Sequence, residues 1–189
     1  MHMIKPKARP NLKIPNFFDE AIRTIIFVII VTVLFDMAIP RSLVDGRSME
    51  PSFYDGERLI VSRLNYLLTT PKRGDVIVFN SLTKPDTEML IKRVIGEPGD
   101  TIEFRQSEVY VNGERLQEDY INECISSCYS TEIWTVPEDA YFVMGDNRDH
   151  SSDSRVFGVV PIQSIVGRVV FRYWRMDGIG LLPFPDYSE

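Results

Sequence analysis

Between Arg23 and Asp36 the chain carries no charge, and Ile25 to Val31 is an unbroken run of Ile, Phe and Val, with Val33, Leu34 and Phe35 close behind. No polar face is left for a soluble helix, so segment 21–39 is expected to form a helix that belongs in lipid. The uncharged stretch is shorter than the ~20 residues a spanning helix usually needs, which makes a cleavable signal peptide a competing reading. The flanks favour an uncleaved anchor. Cleavage needs small residues at two alternate positions, whereas Asp36, Met37, Ala38, Ile39 and Pro40 offer a charge and bulky side chains. A helix starting near Phe17 lets Arg23 snorkel to one headgroup layer and puts Asp36 near the other. Lys5, Lys7, Arg9 and Lys13 then place residues 1–20 in the cytoplasm as a basic tail, with everything after Pro40 on the far side. A buried core helix is the competing reading.

The rest of the chain reads differently. Short β-branched runs at 58–61, 75–79, 89–95, 101–104, 108–111, 141–144 and 165–174 predict strands. Pro71 to Gly74, Glu97 to Asp100 and the Asn112-Gly113 pair predict the turns between them. No helical periodicity extends over a dozen residues, so 40–189 is expected to be one extracytoplasmic domain, mostly β, built as an antiparallel barrel or folded sheet. A net charge of −6 and the lack of a basic cluster after residue 13 argue against nucleic acid. Cys124 and Cys128 could bridge in an oxidising compartment, worth roughly 2 kcal/mol, or remain free thiols in a reducing one. With His2 in the tail, a four-ligand zinc site is short of partners, and no metal or cofactor is expected.

The chemistry concentrates at a few residues. In the strand 89–95, Lys92 shares a face with Leu90 and Val94 while Arg93 points the other way. A lysine in an apolar wall loses its proton more readily and can serve as a base, although snorkelling at a strand end is the ordinary explanation. Ser48 lies in a turn-rich loop beside Val44, Met49 and Phe53. A Ser-His-Asp triad would have to use His150. The string Ser81-Leu-Thr-Lys84 has S-x-x-K spacing, but Pro85 breaks the helix that spacing requires, and its companion K-T-G motif is missing. Ser-Lys repressor autoproteases share the dyad logic, yet their DNA-binding helices have no counterpart in this sequence. A noncatalytic anchored binding domain is the reading from another class, with Asp146, Asp149 and Asp153 holding calcium or simply pairing with Arg148 and Arg155. Their spacing does not fit an EF-hand loop, and salt-bridged surface carboxylates are preferred.

Four segments in order, Gly46-Arg47-Ser48-Met49-Glu50-Pro51, Lys72 to Phe79, Ile91 to Asp100, and Gly145 to Arg155 followed by Gly158 and Pro161, resemble the boxes of the bacterial type I signal peptidases over nearly the whole chain. The resemblance implies a membrane-bound serine endopeptidase of mostly β fold in the bacterial cell membrane. Its substrates would be secretory precursors with small residues one and three positions before the cut. It also implies Ser48 as nucleophile, Lys92 as general base, and Ser151, Asp153 and Arg155 as supporting residues. Val44, Met49, Phe53, Leu90 and Ile91 are the expected pocket walls. Gly46 stands where many members carry Ser or Thr to donate a hydroxyl to the oxyanion, leaving the Ser48 N–H as the remaining donor. His150 and Leu90 also depart from common family residues.

Overall fold

The computed structural model describes residues 17–38, 41–85, 87–121, 132–174 and 180–181, in two units divided after Met37. The first unit is essentially one helix, α1 (Phe17–Ala38). Its apolar side chains from Ile22 to Leu34 are exposed all round. Thr24 and Thr32 each donate the hydroxyl to the carbonyl four residues back, at 2.9 Å, so neither leaves a polar group seeking an outside partner. Asp19, Glu20 and Arg23 fall in the first two turns. Among the described residues no helix is long and apolar enough to cross a membrane.

The second unit is built of antiparallel strands. In chain order these are β1 (Arg41–Leu43), β2 (Arg58–Ser62), β3 (Val76–Asn80), β4 (Met89–Gly96), β5 (Thr101–Arg105), β6 (Glu108–Val111), β7 (Glu114–Arg115), β8 (Ile133–Thr135), β9 (Ala140–Met144), β10 (Val160–Pro161), β11 (Ile165–Trp174) and β12 (Gly180–Leu181). Two one-turn helices, α2 (Asn65–Leu68) and α3 (Ser154–Phe157), interrupt them. One sheet runs β1-β2-β11-β3-β4-β9-β10, with β12 added to β11, and a second runs β7-β6-β5-β8. Among the described residues the strands form two antiparallel sheets and no pairing joins β1 to β10, so closure into the expected barrel is not seen.

Every strand read from the sequence is present within a residue or so at each end, because each is a run rich in β-branched and aromatic residues. Burial alternates in β6 and is continuous in β3 and β9, which are buried on both faces. The Asn112-Gly113 pair turns β6 into β7 with φ of 54° and 87°, the left-handed conformation that these two residues adopt at little cost. The shorter β1, β7, β8, β10 and β12 carry too few residues to show a period.

Strand β4 organises the core. Leu90 and Val94 pack with Ile77, Phe79, Tyr141, Val143 and Val160. Ile91 instead packs with Val44, Met49, Phe53, Leu59, Val76 and Val78. Ile95 enters a third cluster under the second sheet, with Ile102, Phe104, Val111 and Phe142. The strand is therefore buried on both faces, and Lys92, opposite Ile77 on β3, is only 3% exposed. Cys124 and Cys128, residues 1–16 of the basic tail, and all but two residues of the 175–189 tail lie outside the described residues, whereas residues 17–20, read as tail, form the first turn of α1.

Candidate active site

Two loops and one strand meet at Lys92. The first loop leaves β1 and is closed at its base, where Val44 N donates to Glu57 O at 2.8 Å and Gly56 N to Val44 O at 3.0 Å. Inside it Gly46 N donates to Asp55 Oδ1 at 2.9 Å, and Phe53 N donates to Met49 O at 2.8 Å. Met49 and Phe53, 0% and 1% exposed, pin the loop into the core. Ser48, the residue before Met49, is thereby held at the surface edge of a rigid turn, half-buried. Its hydroxyl lies 2.7 Å from Lys92 Nζ, which donates to it and also to Ile91 O at 2.8 Å.

Burial lowers the Lys92 pKa from its ordinary 10.5 to about 8, against the opposing pull of the Asp153 and Asp146 carboxylates. Desolvation wins because the ammonium has lost nearly all its water, and neither carboxylate makes an ion pair with it; each is bound to an arginine instead.

The second loop, 145–155, presses on the back of the first. Asn147 N donates to Ser48 O at 3.0 Å, and Asn147 Nδ2 donates to Arg47 O at 3.0 Å. A Cβ on Gly145 would lie 2.4 Å from Ser48 O and 2.3 Å from Ser151 Oγ, so only glycine permits this approach. Asp153, fully buried, accepts from Gly145 N at 2.9 Å, caps α3, and pairs with Arg155 through Nε and Nη2, each at 2.8 Å. Arg155 Nη2 also donates to Arg148 O at 2.7 Å. Ser151 Oγ is buried without a hydrogen-bond partner among the described residues.

Of the residues singled out from the sequence, Ser48 and Lys92 are brought into direct contact, and Asp153 with Arg155 braces the loop behind them. Ser151 lies against Gly145, and no hydrogen bond joins it to Lys92. Val44, Met49 and Phe53 are core residues with 3% exposure or less, whereas Leu90 and Ile91 keep some surface on opposite faces of β4. Exposed His150 makes no described contact with Ser48. In the S-x-x-K string, Ser81 Oγ faces Thr83 Oγ1 at 3.2 Å while exposed Lys84 pairs with Glu88. Among the described residues no three His, Cys, Asp or Glu side chains are grouped to hold a metal.

The sequence reading missed two arginine pairings. Asp146 is bound not to a neighbour in its own loop but to Arg93, through Nε at 2.8 Å and Nη2 at 2.6 Å, with both side chains buried. Arg148 reaches Glu118 rather than a nearby aspartate. Sequence separations of 53 and 30 residues give no local signal for either; the available hint was Arg93 itself, a charge in a doubly buried strand that demands a partner.

A serine hydroxyl thus meets a desolvated amine on an antiparallel scaffold, an arrangement in which a lysine could take the part that histidine plays in other serine hydrolases. The signal peptidase model, peptidase S26, matches residues 18–174. The chain is 37% identical to signal peptidase I of Leptolyngbya laminosa, covering 96% of this chain and 94% of that protein. It is 40% identical to a probable signal peptidase I-2 of Synechocystis, covering 74% of this chain but spanning only 65% of that relative's length. A crystal structure of a signal peptidase I from Enterococcus faecalis is 36% identical and aligns with 53% of this chain and 97% of its own, at a TM-score of 0.43. The chain belongs to the signal peptidase family, peptidase S26, and so to the serine endopeptidases that remove signal peptides.

The depressed Lys92 pKa has a stability consequence. Below about pH 8 folded and unfolded chains both hold the proton, and the cost of burying it is fully present; between 8 and 10.5 only the unfolded chain holds it, so stability rises with pH. The interval corresponds to roughly 3 kcal/mol. Replacing Lys92 by Met should therefore stabilise the protein relative to wild type by roughly 2 kcal/mol more at pH 7 than at pH 10. Urea unfolding of both proteins at the two pH values measures this, and an equal difference at both would show that Lys92 is not desolvated.

Proposed function

We propose that Ser48 is the nucleophile and Lys92 the general base with which this signal peptidase cuts secretory precursors. The observation that carries the reading is the 2.7 Å contact between Lys92 Nζ and Ser48 Oγ, with the amine buried and its pKa brought down to about 8. Once deprotonated, the amine keeps an N–H for Ile91 O and turns its lone pair to the Ser48 hydroxyl. Ser48 Oγ then attacks the scissile carbonyl while its proton passes to Lys92, and the resulting ammonium returns a proton to the leaving amine. Water activated by the same amine releases the acyl group from Ser48. Asp153 and Arg155 hold the 145–155 loop against Ser48, and Ser151, whose buried hydroxyl has no partner among the described residues, is assigned the orienting of the lysine by the family resemblance. The Ser48 N–H serves the oxyanion. The preference for small residues one and three positions before the cut is drawn from the family resemblance. Leu90 and Ile91 have surface to offer such side chains; Val44, Met49 and Phe53 act by holding the loop.

The same reading assigns 1–20 to a cytoplasmic tail, 21–39 to a single membrane anchor and 40–189 to an extracytoplasmic peptidase domain at the bacterial cell membrane. Its support is the uncharged apolar surface of α1 from Thr24 to Leu34, the placing of its charges at the two ends, Asp19, Glu20 and Arg23 in the first two turns and Asp36 in the last, and the basic residues before it. The 22 residues of α1 would extend about 33 Å, but its first two turns carry Asp19, Glu20 and Arg23, so its apolar part alone falls short of a span and the reading needs those turns at the headgroups.

A purified precursor offered to the full chain in detergent should be cut once, after a small-x-small sequence, as read by mass spectrometry of the released N-terminus. Ser48→Ala and Lys92→Ala should each lose the cut, and kcat/KM should rise with pH to a plateau above about 8 as Lys92 gives up its proton. Cleavage surviving either substitution would sink the dyad. Release of the chain from membranes by alkaline carbonate would sink the anchor.

A further inference from the structure

The second sheet lies outside the dyad and its loops, yet the segment that follows β7 returns to them. Gln117 to Ile121 carries Glu118, whose carboxylate receives Arg148 on both oxygens: Nη1 donates to Oε2 at 3.0 Å, and Nη2 donates to Oε1. Both side chains are buried, at 7% and 1% exposure. Arg148 Nε donates in turn to Gly145 O at 3.2 Å, and Arg148 O accepts from Arg155. Two residues on, the Tyr120 ring lies 4.0 Å from the Arg93 guanidinium carbon, and its hydroxyl donates to Glu118 Oε1 at 2.9 Å. One short segment therefore covers two of the arginines that fix the 145–155 loop, Arg148 at Gly145 and Arg93 at Asp146.

We propose that Glu118, seconded by Tyr120, is a positioning residue for the peptidase reaction, holding Arg148 so that Gly145 and Asn147 keep Ser48 in register with Lys92. The proposal rests on the Ser48 and Lys92 reading. Its physical basis is the small tolerance at the site. Gly145 is packed against Ser48 O with no room for a methyl group, and Asn147 N is hydrogen-bonded to that same oxygen, so a shift of the loop is passed directly to the nucleophile. Neutralising Glu118 removes the carboxylate that fixes a buried guanidinium, and because Arg148 is also bonded to the Gly145 carbonyl, a shift of the guanidinium is passed to that loop. A carboxylate in the segment that follows β7 thus sets the geometry of a reaction carried out on the first sheet.

The test uses the full chain in detergent, with precursor cleavage and the folded fraction, from denaturation curves, measured on the same samples. Glu118→Ala should lower kcat per folded molecule by about tenfold or more while KM stays within about twofold, because misplacement of a reacting group costs rate rather than binding. Glu118→Gln, which keeps one acceptor for Arg148, should recover part of the loss. Arg148→Met should resemble Glu118→Ala, and the double variant should lose little beyond the worse single one. Wild-type kcat per folded molecule in Glu118→Ala, or losses that multiply in the double variant, would overturn the brace. Should Glu118→Ala not fold, Glu118→Gln decides alone: a kcat reduced by about threefold or more supports the brace, and a wild-type value overturns it. A wild type that cuts while Ser48→Ala does not leaves the dyad standing in either case, whereas a folded wild type that cannot cut overturns dyad and brace together.

Discussion

An amine that is 3% exposed and 2.7 Å from a serine hydroxyl, with no carboxylate in ion-pair contact, is the constraint around which this domain is arranged. Water would keep Lys92 charged and useless as a base, so the strand carrying it must be covered on both faces. Strand β4 meets that demand by feeding its side chains into three different apolar clusters. The surrounding charge is handled in the same spirit. Asp146 and Asp153 both pull the Lys92 pKa upward, and each is occupied by an arginine, Arg93 or Arg155, that limits the pull.

Those ion pairs also do mechanical work. Buried pairs contribute little net stability, because desolvation consumes most of the attraction, but they are demanding about geometry. Asp153 joins the cap of α3, the Gly145 N–H and Arg155 in one knot, and Arg93 ties Asp146 to β4 and to Gly74 O. The 145–155 loop is thus positioned by directional bonds, whereas the Ser48 loop is positioned by apolar anchors and closed on itself by backbone bonds. Arg172 adds a bond to the Ser52 carbonyl while pairing with buried Glu57. The proposed nucleophile must be held in one place, and the two loops reach that end by different physics.

How much of this was legible in the sequence follows from the range of each interaction. Local rules found the long strands, the Asn112-Gly113 turn, and the placing of Lys92 with Leu90 and Val94 on one face. They did not find the turn from β5 to β6, where Gln106 and Ser107 adopt φ of 50° and 69° without the residues that usually signal it. Two separate sheets and a barrel present the same alternation, so periodicity could not choose between them. The contact of Ser48 with Lys92, 44 residues apart, was reached only through resemblance of the boxes, and the Glu118 pairing, lying outside any box, was not reached at all. Val44, Met49 and Phe53 were expected as pocket walls because they flank the nucleophile; their burial shows that apolar neighbours in sequence can just as well be the pins of a loop.

The central claim is that Lys92 sits in the folded enzyme with a proton it can give up near neutral pH. Nuclear magnetic resonance of protein labelled with 13C at lysine Cε, with the Lys92 signal assigned by its absence from Lys92→Met, would follow that ionisation directly. The account predicts a titration midpoint near 8, set apart from the other lysines. A midpoint at the ordinary 10.5 would mean that the amine stays charged at working pH, and the dyad would have to be abandoned as a base and nucleophile pair.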